Sequence, residues 1–242
     1  MRISKPVFII STFVTTGLLT FSKFLITTNS MESQSSSVDT SINEVHSNHQ
    51  RPITYEDYNQ LKLFFHQTFG EAITFSNKED EVVYHLTHID SQELSGITRL
   101  SYKGNVIHPT LTSTSHPFEI HYQITGESII ESFKQEKPLF STHSIHMLFS
   151  IIPNKIILKS PLTLGNEWKE HFVYNGNEHQ AISTISNLWL DESDRRCYEI
   201  QTSVPTLESF KNQPYFETRV YTEGLGLTFF KNNIIEYQLE NF

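Results

Sequence analysis

Glycine is scarce in this chain, with nine in 242 residues, about half the usual share of roughly 7%. A loop that wraps phosphates with backbone N–H groups needs closely spaced glycines. The one close pair, Gly224 and Gly226, is followed by Leu227, Thr228 and Phe229, so G-x-G-x-x-G fails, and G-x-x-x-x-G-K-[ST] does not occur. Both patterns argue against nucleotide binding. Cysteine is reduced to Cys197, which excludes an intramolecular disulfide and leaves packing to hold the fold. Positive charge is also short: 18 Lys+Arg stand against 27 Asp+Glu, a formal net charge of -9. No basic cluster exceeds Arg195-Arg196, so the basic face that draws in a polyanion is missing and no nucleic acid is expected as a partner. H-E-x-x-H and G-x-S-x-G are absent as well.

What the chain has begins with delivery. Arg2 and Lys5 precede an apolar run from Pro6 to Ser22 with no charge before Lys23, the pattern of an export segment. The run sits near the lower limit of the ~17 to 25 residues that cross a bilayer as a helix. A cleaved signal peptide and a retained N-terminal membrane anchor therefore both stay open for residues 1–29. Thr28 and Ser30 put small residues at a usable spacing before Met31, which favours cleavage. Lipid attachment needs a cysteine just after the apolar run, and the single cysteine is at 197. The early cations place the N-terminus in the cytoplasm and the rest outside, secreted or held at the cell membrane. Residues 30–52 are rich in Ser, Thr, Asn, Gln and Glu with no aromatic. Such a segment buries too little apolar surface to offset its ordering entropy and reads as a linker, with His46 and His49 solvated in it.

The stretch 53–242 reads as a mainly β extracytoplasmic domain: antiparallel meander sheets in an open half-barrel or a two-lobed sandwich, with pseudo-lobes near 53–150 and 151–242. Runs rich in Val, Ile, Thr, Tyr and Phe alternate with turn signals. They are 82–89, 97–102, 118–125, 128–133, 145–152, 155–159, 168–174, 180–190, 197–204, 215–221, 225–230 and 234–239. Lys103-Gly104-Asn105 and Asn175-Gly176 read as hairpin turns, and Lys231-Asn232-Asn233 as the last. In Tyr198–Val204 the set Tyr198, Ile200, Thr202 and Val204 points one way and Glu199, Gln201 and Ser203 the other, which predicts a sheet covered on one side. The same parity puts Cys197 on the polar face, beside Arg195 and Arg196, which would lower a thiol pKa. No histidine lies near it to complete a reactive pair. In the stretch 54–70, Tyr58, Leu61, Phe65 and Phe69 fall near helical spacing, with Thr54 or Asp57 as a cap and Gly70 as a stop.

Two motifs carry a resemblance. Ile156–Trp168, with Pro161, Leu162, Gly165 and Trp168, and Val220–Leu227, with Tyr221, Gly224 and Gly226, resemble a "PLxxGxxW … YxxGxGL" pattern of exported proteins and lipoproteins of Gram-positive bacteria. The resemblance extends over most of 58–242 and implies that Leu61–Phe69 is a strand. It implies no activity and no catalytic residue. As local structure, Pro161 ends an edge strand, Gly165 takes a positive φ, Trp168 opens a strand with a buried ring, and Gly224 and Gly226 mark a bulge or a close backbone approach. Glu223 is the one titratable residue beside them.

Chemistry is hard to find in linear order. His85 and His88, like His143 and His146, are three apart, which sends the two rings to opposite faces of a strand, and whether His116 and His121 meet another loop histidine is not set by spacing. Glu79, Asp80 and Glu81, and Asp191, Glu192 and Asp194, read as solvated turn charge without the ligand order of a Ca²⁺ loop. The sequence assigns no catalytic, cofactor or metal residue, and it reads as a non-enzyme. Two functional readings remain. One is an interaction module at the cell surface, meeting a protein or wall component; the other is a carrier or sensor of an apolar ligand held in a β-cavity. A hydrolase is the third reading.

Overall fold

The computed structural model describes residues 55–65, 70–107, 116–135, 148–210 and 213–240. The apolar run, the linker, His46, His49, His143 and His146 lie outside them. After a short helix α1 (Tyr55–Lys62), six strands follow: β1 (Ala72–Ser76), β2 (Val82–Leu94), β3 (Ile97–Val106), β4 (His116–Ile124), β5 (Ser128–Gln135) and β6 (Lys155–Lys159). Six more complete the described chain: β7 (Glu167–Tyr174), β8 (Asn177–Leu190), β9 (Arg196–Phe210), β10 (Gln213–Thr222), β11 (Gly226–Asn232) and β12 (Glu236–Leu239). All belong to one antiparallel sheet ordered β6-β5-β4-β3-β2-β1-β12-β11-β10-β9-β8-β7. The two six-strand meanders join where β1 pairs with β12, Phe75 opposite Leu239.

The sheet curls into a nearly closed barrel, the barrel-like form of the two left open by the sequence. Its edges, β6 and β7, meet along a seam bridged by side chains. The Ile156 N–H donates to Glu170 Oε1 at 2.7 Å, and Trp168 Nε1 donates to the Ile156 carbonyl at 3.2 Å. An edge strand normally leaves such groups open to a second chain. Here β7 supplies two side chains that occupy them, which gives Trp168 a role beyond filling space.

Alternation assigns the faces as the sequence predicts. Tyr198, Ile200, Thr202 and Val204 are buried, and so are Phe118, Ile120, Tyr122 and Ile124 on β4. The interior is an aromatic stack, with Phe75 on Tyr84 at 4.5 Å and Phe230 on Tyr237 at 4.9 Å between ring centroids. Each end is plugged. At the end holding the 95–96, 125–127, 191–195 and 223–225 turns, α1 and residues 63–65 cover the opening, with Phe64 edge-on to Tyr198 and Phe65 against Tyr122. At the other end Leu148 and Phe149 enter the barrel, Phe149 lying 4.8 Å from both Phe118 and Phe133.

Several local expectations change. The helix holds over 55–62, and the strand implied by resemblance for 61–69 is absent over the described 61–65, because Leu61, Phe64 and Phe65 are buried as a plug and not as a ladder. Residues 148–152 are likewise a plug with one helical turn in place of a strand. Lys103-Gly104-Asn105 lies inside β3, which continues to Val106 opposite His116. Gly104 is there because it faces Phe118 directly: a Cβ would sit 2.1 Å from that ring. By contrast Asn175 and Gly176 turn as expected, both with positive φ, 50° and 80°, the geometry that Asn-Gly favours in a tight hairpin. Gly165 has a φ of 82° and Trp168 is buried. Gly224 donates its N–H to the Leu63 carbonyl at 2.7 Å, and a Cβ on Gly226 would touch Phe65. The glycine pair of the C-terminal motif is thus the seat on which the α1 plug rests.

Candidate functional site

A charged cluster is buried in the middle of the barrel. On β10 the inward residues are Tyr215, Glu217, Arg219 and Tyr221, all buried, and Glu131 of β5 and Lys155 of β6 face them. Arg219 donates through Nε to Glu217 Oε1 (3.1 Å) and through Nη1 to Glu131 Oε1 (2.8 Å) and the Tyr221 hydroxyl (3.0 Å). Its Nη2 donates to the Phe149 carbonyl, and the guanidinium lies over the Phe230 ring at 5.2 Å. Lys155 Nζ donates to Glu217 Oε1 (3.0 Å) and Thr202 Oγ1 (2.9 Å). The second Glu217 oxygen accepts from Tyr215 (2.6 Å) and Ser150 (3.0 Å), and that of Glu131 accepts from Tyr122 (3.1 Å).

Two cations and two carboxylates cancel, and each has multiple partners, which is the condition under which buried charge is tolerated. Burial pushes the Glu217 carboxyl up, and the charges of Lys155 and Arg219 more than reverse this, bringing it down to about 2. Glu170, at the seam, behaves oppositely. Burial raises its carboxyl, the Lys155 charge and the Ile156 N–H only partly oppose it, and Oε2 has no hydrogen-bond partner. The network ties β4, β5, β6, β9 and β10 to the Phe149–Ser150 plug. Chemically it is a saturated lattice: its groups are spent on each other.

Part of the network lines an open cleft. A cleft of about 510 Å³ opens at the end opposite α1, with Glu131 and Ser150 in its floor and Phe133, Ile152, Asn154, Val173 and Tyr174 among its walls. Because Ser150 donates to Glu217 and the Phe149 carbonyl accepts from Arg219, the floor is fixed by the buried ions. The aromatic interior offers far less room: the cavity among Phe65, Phe75, Tyr84, Tyr102 and Leu227 measures about 20 Å³, room for about one or two waters.

The residues singled out from sequence do not gather. His85 bonds Thr74 outside the barrel, whereas His88 is buried against Tyr102 and bonds the Asp90 carbonyl, so the pair does sit on opposite faces. His121 faces Ser101 and Glu119, with His116 at the start of the same strand on the other parity. Among the described residues no three His, Cys, Asp or Glu come together as a metal-binding group. The acidic runs close turns: Asp191 accepts from the Ser193 and Arg195 backbone and from Arg195 Nε, and Asn77 holds the Glu79 and Glu81 N–H groups. Glu223 pairs with Arg196. Cys197 is on the face expected from parity yet is buried, its sulfur 3.3 Å from Thr222 Oγ1. Cross-strand pairing with Trp189 and Thr222 covers it.

No protein-family model matches the chain, and no curated protein matches it. Two crystal structures are similar to it. One is a candidate lipoprotein from Parabacteroides distasonis, 10% identical with a TM-score of 0.40, covering 74% of this chain and 97% of its own. The other is a candidate exported protein with a YmcC-like fold from Bacteroides fragilis, 10% identical with a TM-score of 0.42, covering 73% of this chain and 95% of its own.

Proposed function

We propose that the protein is an exported, non-catalytic interaction module at the cell surface, which receives a protein or wall component in the cleft at the end of the barrel opposite α1. The observation that carries this reading is the contrast between the two spaces. An open cleft of about 510 Å³ has a floor held by the buried ions, while the cavity among Phe65, Phe75, Tyr84, Tyr102 and Leu227 has about 20 Å³, too little to enclose an apolar small ligand, whose pockets run to roughly 300–1,000 Å³. A ligand enclosed among these aromatic rings is therefore disfavoured, and the open cleft is the larger of the two spaces. The non-catalytic part rests on the cleft lining. Among the described residues its one carboxylate is Glu131, which already accepts from Arg219 and Tyr122, and no described histidine, cysteine or lysine lines the cleft. General acid–base chemistry needs a group with a proton to exchange. The extracytoplasmic placement rests on Arg2, Lys5 and the Pro6–Ser22 run; among the described residues no helix is long and apolar enough to cross a membrane.

Val173, 60% exposed on the cleft wall, gives the test, since its substitution spares the core. Saturable binding of the intact protein to surface and wall extracts is expected, weakened about tenfold or more by Val173→Arg, as for a wall residue central to an interface. Equal saturable binding by both forms, or none by the parent, overturns the reading.

A further inference from the structure

The end carrying α1 presents a different surface. Leu63, Leu94, Leu164, Leu188, Trp189 and Leu190 are all exposed there. Most of them form one arc. Leu63 is tied by its carbonyl to Gly224, whose neighbour Glu223 donates its N–H to the Arg196 carbonyl at 3.0 Å, and Arg196 pairs with Leu190 across β8 and β9. On the other side Gly165, next to Leu164, donates to the Ile185 carbonyl at 2.9 Å, three residues before Leu188. The 187–190 strand end extends past the rim with all four residues exposed. Nearby charges are largely spent on each other, in the pairs Lys62–Glu93, Arg195–Asp191 and Arg196–Glu223. Glu192 and Asp194 leave the rim slightly acidic.

The chain enters the domain at this same end. Tyr58 is fixed to the β2–β3 hairpin through Glu93 (3.2 Å) and Thr98 (2.6 Å), and α1 starts one turn earlier. From the geometry we infer that the rim rests on a bilayer surface of zwitterionic lipid, Trp189 lying at headgroup depth and the leucines just below. The inference rests on the reading that the Pro6–Ser22 run is held in that bilayer. Only 32 residues, 23 to 54, separate α1 from that run in the sequence. Such tethering turns rim contact into an intramolecular event at high effective concentration, so a few inserted side chains suffice. Trp is the side chain most suited to this depth, with an apolar body and an N–H for the wet layer. Docked this way, the barrel turns the cleft at its other end away from the membrane.

The two tryptophans make the test direct, because Trp168 is buried and Trp189 is not. The full chain is reconstituted with phosphatidylcholine vesicles carrying bromine on their acyl chains. Flotation with the vesicles reads the anchor, and quenching of tryptophan emission reads the rim. Expected are flotation and quenching that disappears in Trp189→Phe, falls about twofold or more in Leu188→Ser/Leu190→Ser as apolar area is lost, and weakens when phosphatidylglycerol is included. Flotation without quenching overturns rim docking and spares the anchor; failure to float overturns the anchor reading and the docking with it. Protection of Trp189 from acrylamide without vesicles, together with a doubled solution mass, shows a second copy on the rim and overturns the proposal too.

Discussion

Arg219→Met lowers the free energy of unfolding by about 3–5 kcal/mol, the cost of leaving buried charge without its partner. Methionine fills much of the volume but donates nothing, so Glu131, Glu217, Tyr221 and the Phe149 carbonyl all lose a donor at once. Equilibrium denaturation checks this, and a loss under about 1 kcal/mol means that the network is not the keystone its geometry implies. Adding Glu131→Leu to the variant recovers part of the loss, because the orphaned carboxylate goes with it. Acid adds a second readout. The Glu217 carboxyl titrates near 2 in the fold against an ordinary value of 4.5. Its contribution to stability is therefore complete above about pH 4.5 and is lost as pH falls toward 2. With Arg219 gone, one of the two opposing charges is missing, the folded value rises, and the acid-sensitive window narrows from its lower end.

Gly104→Ala is the second large effect, about 3 kcal/mol of destabilisation at the upper end of ordinary overpacking. The added methyl would lie 2.1, 2.4 and 2.7 Å from three Phe118 ring carbons. The ring has nowhere to go, being packed against Tyr84, Phe133 and Phe149. The cause is tested by non-additivity: in a Phe118→Leu background the same alanine should cost less than about 1 kcal/mol, since the two sites share one space. Equal costs in both backgrounds point to backbone conformation in place of the clash.

This glycine marks the boundary of what the sequence makes legible. Lys-Gly-Asn is a turn signal by local chemistry, and only the position of Phe118 on the next strand reveals that the glycine is a notch in a continuous β3. Strands with clean alternation, such as Tyr198–Val204, and the Asn175-Gly176 turn were readable because period and turn chemistry are local. The end plugs were harder. Tyr58, Leu61 and Phe65 show helical spacing, but the role of Leu63–Phe65 as a stopper resting on Gly224 and Gly226 depends on closure of the barrel.

The buried ions leave a signal in the sequence. In Tyr215-Phe216-Glu217-Thr218-Arg219-Val220-Tyr221 the charges share parity with the tyrosines, and in Ile129-Ile130-Glu131-Ser132-Phe133 the glutamate shares parity with Ile129 and Phe133. A charge on the aromatic side of an alternating strand is either an interior ion or a break in the pattern. Three such strands with opposite signs, counting Lys155 beside Ile157, favour the interior ion. What parity cannot supply is the pairing of β5 and β6 with a strand some 88 positions away, such as Glu131 with Arg219. The cleft is invisible for the same reason, being assembled from β5, β7 and the 149–154 plug.

Native mass spectrometry of the exported protein asks most directly whether the barrel interior is packing and not a container. The expected mass is that of the polypeptide alone, with any surface partner lost on mild activation. A stoichiometric small molecule or metal ion retained until the chain unfolds would contradict the filled barrel and the reading of function built on it.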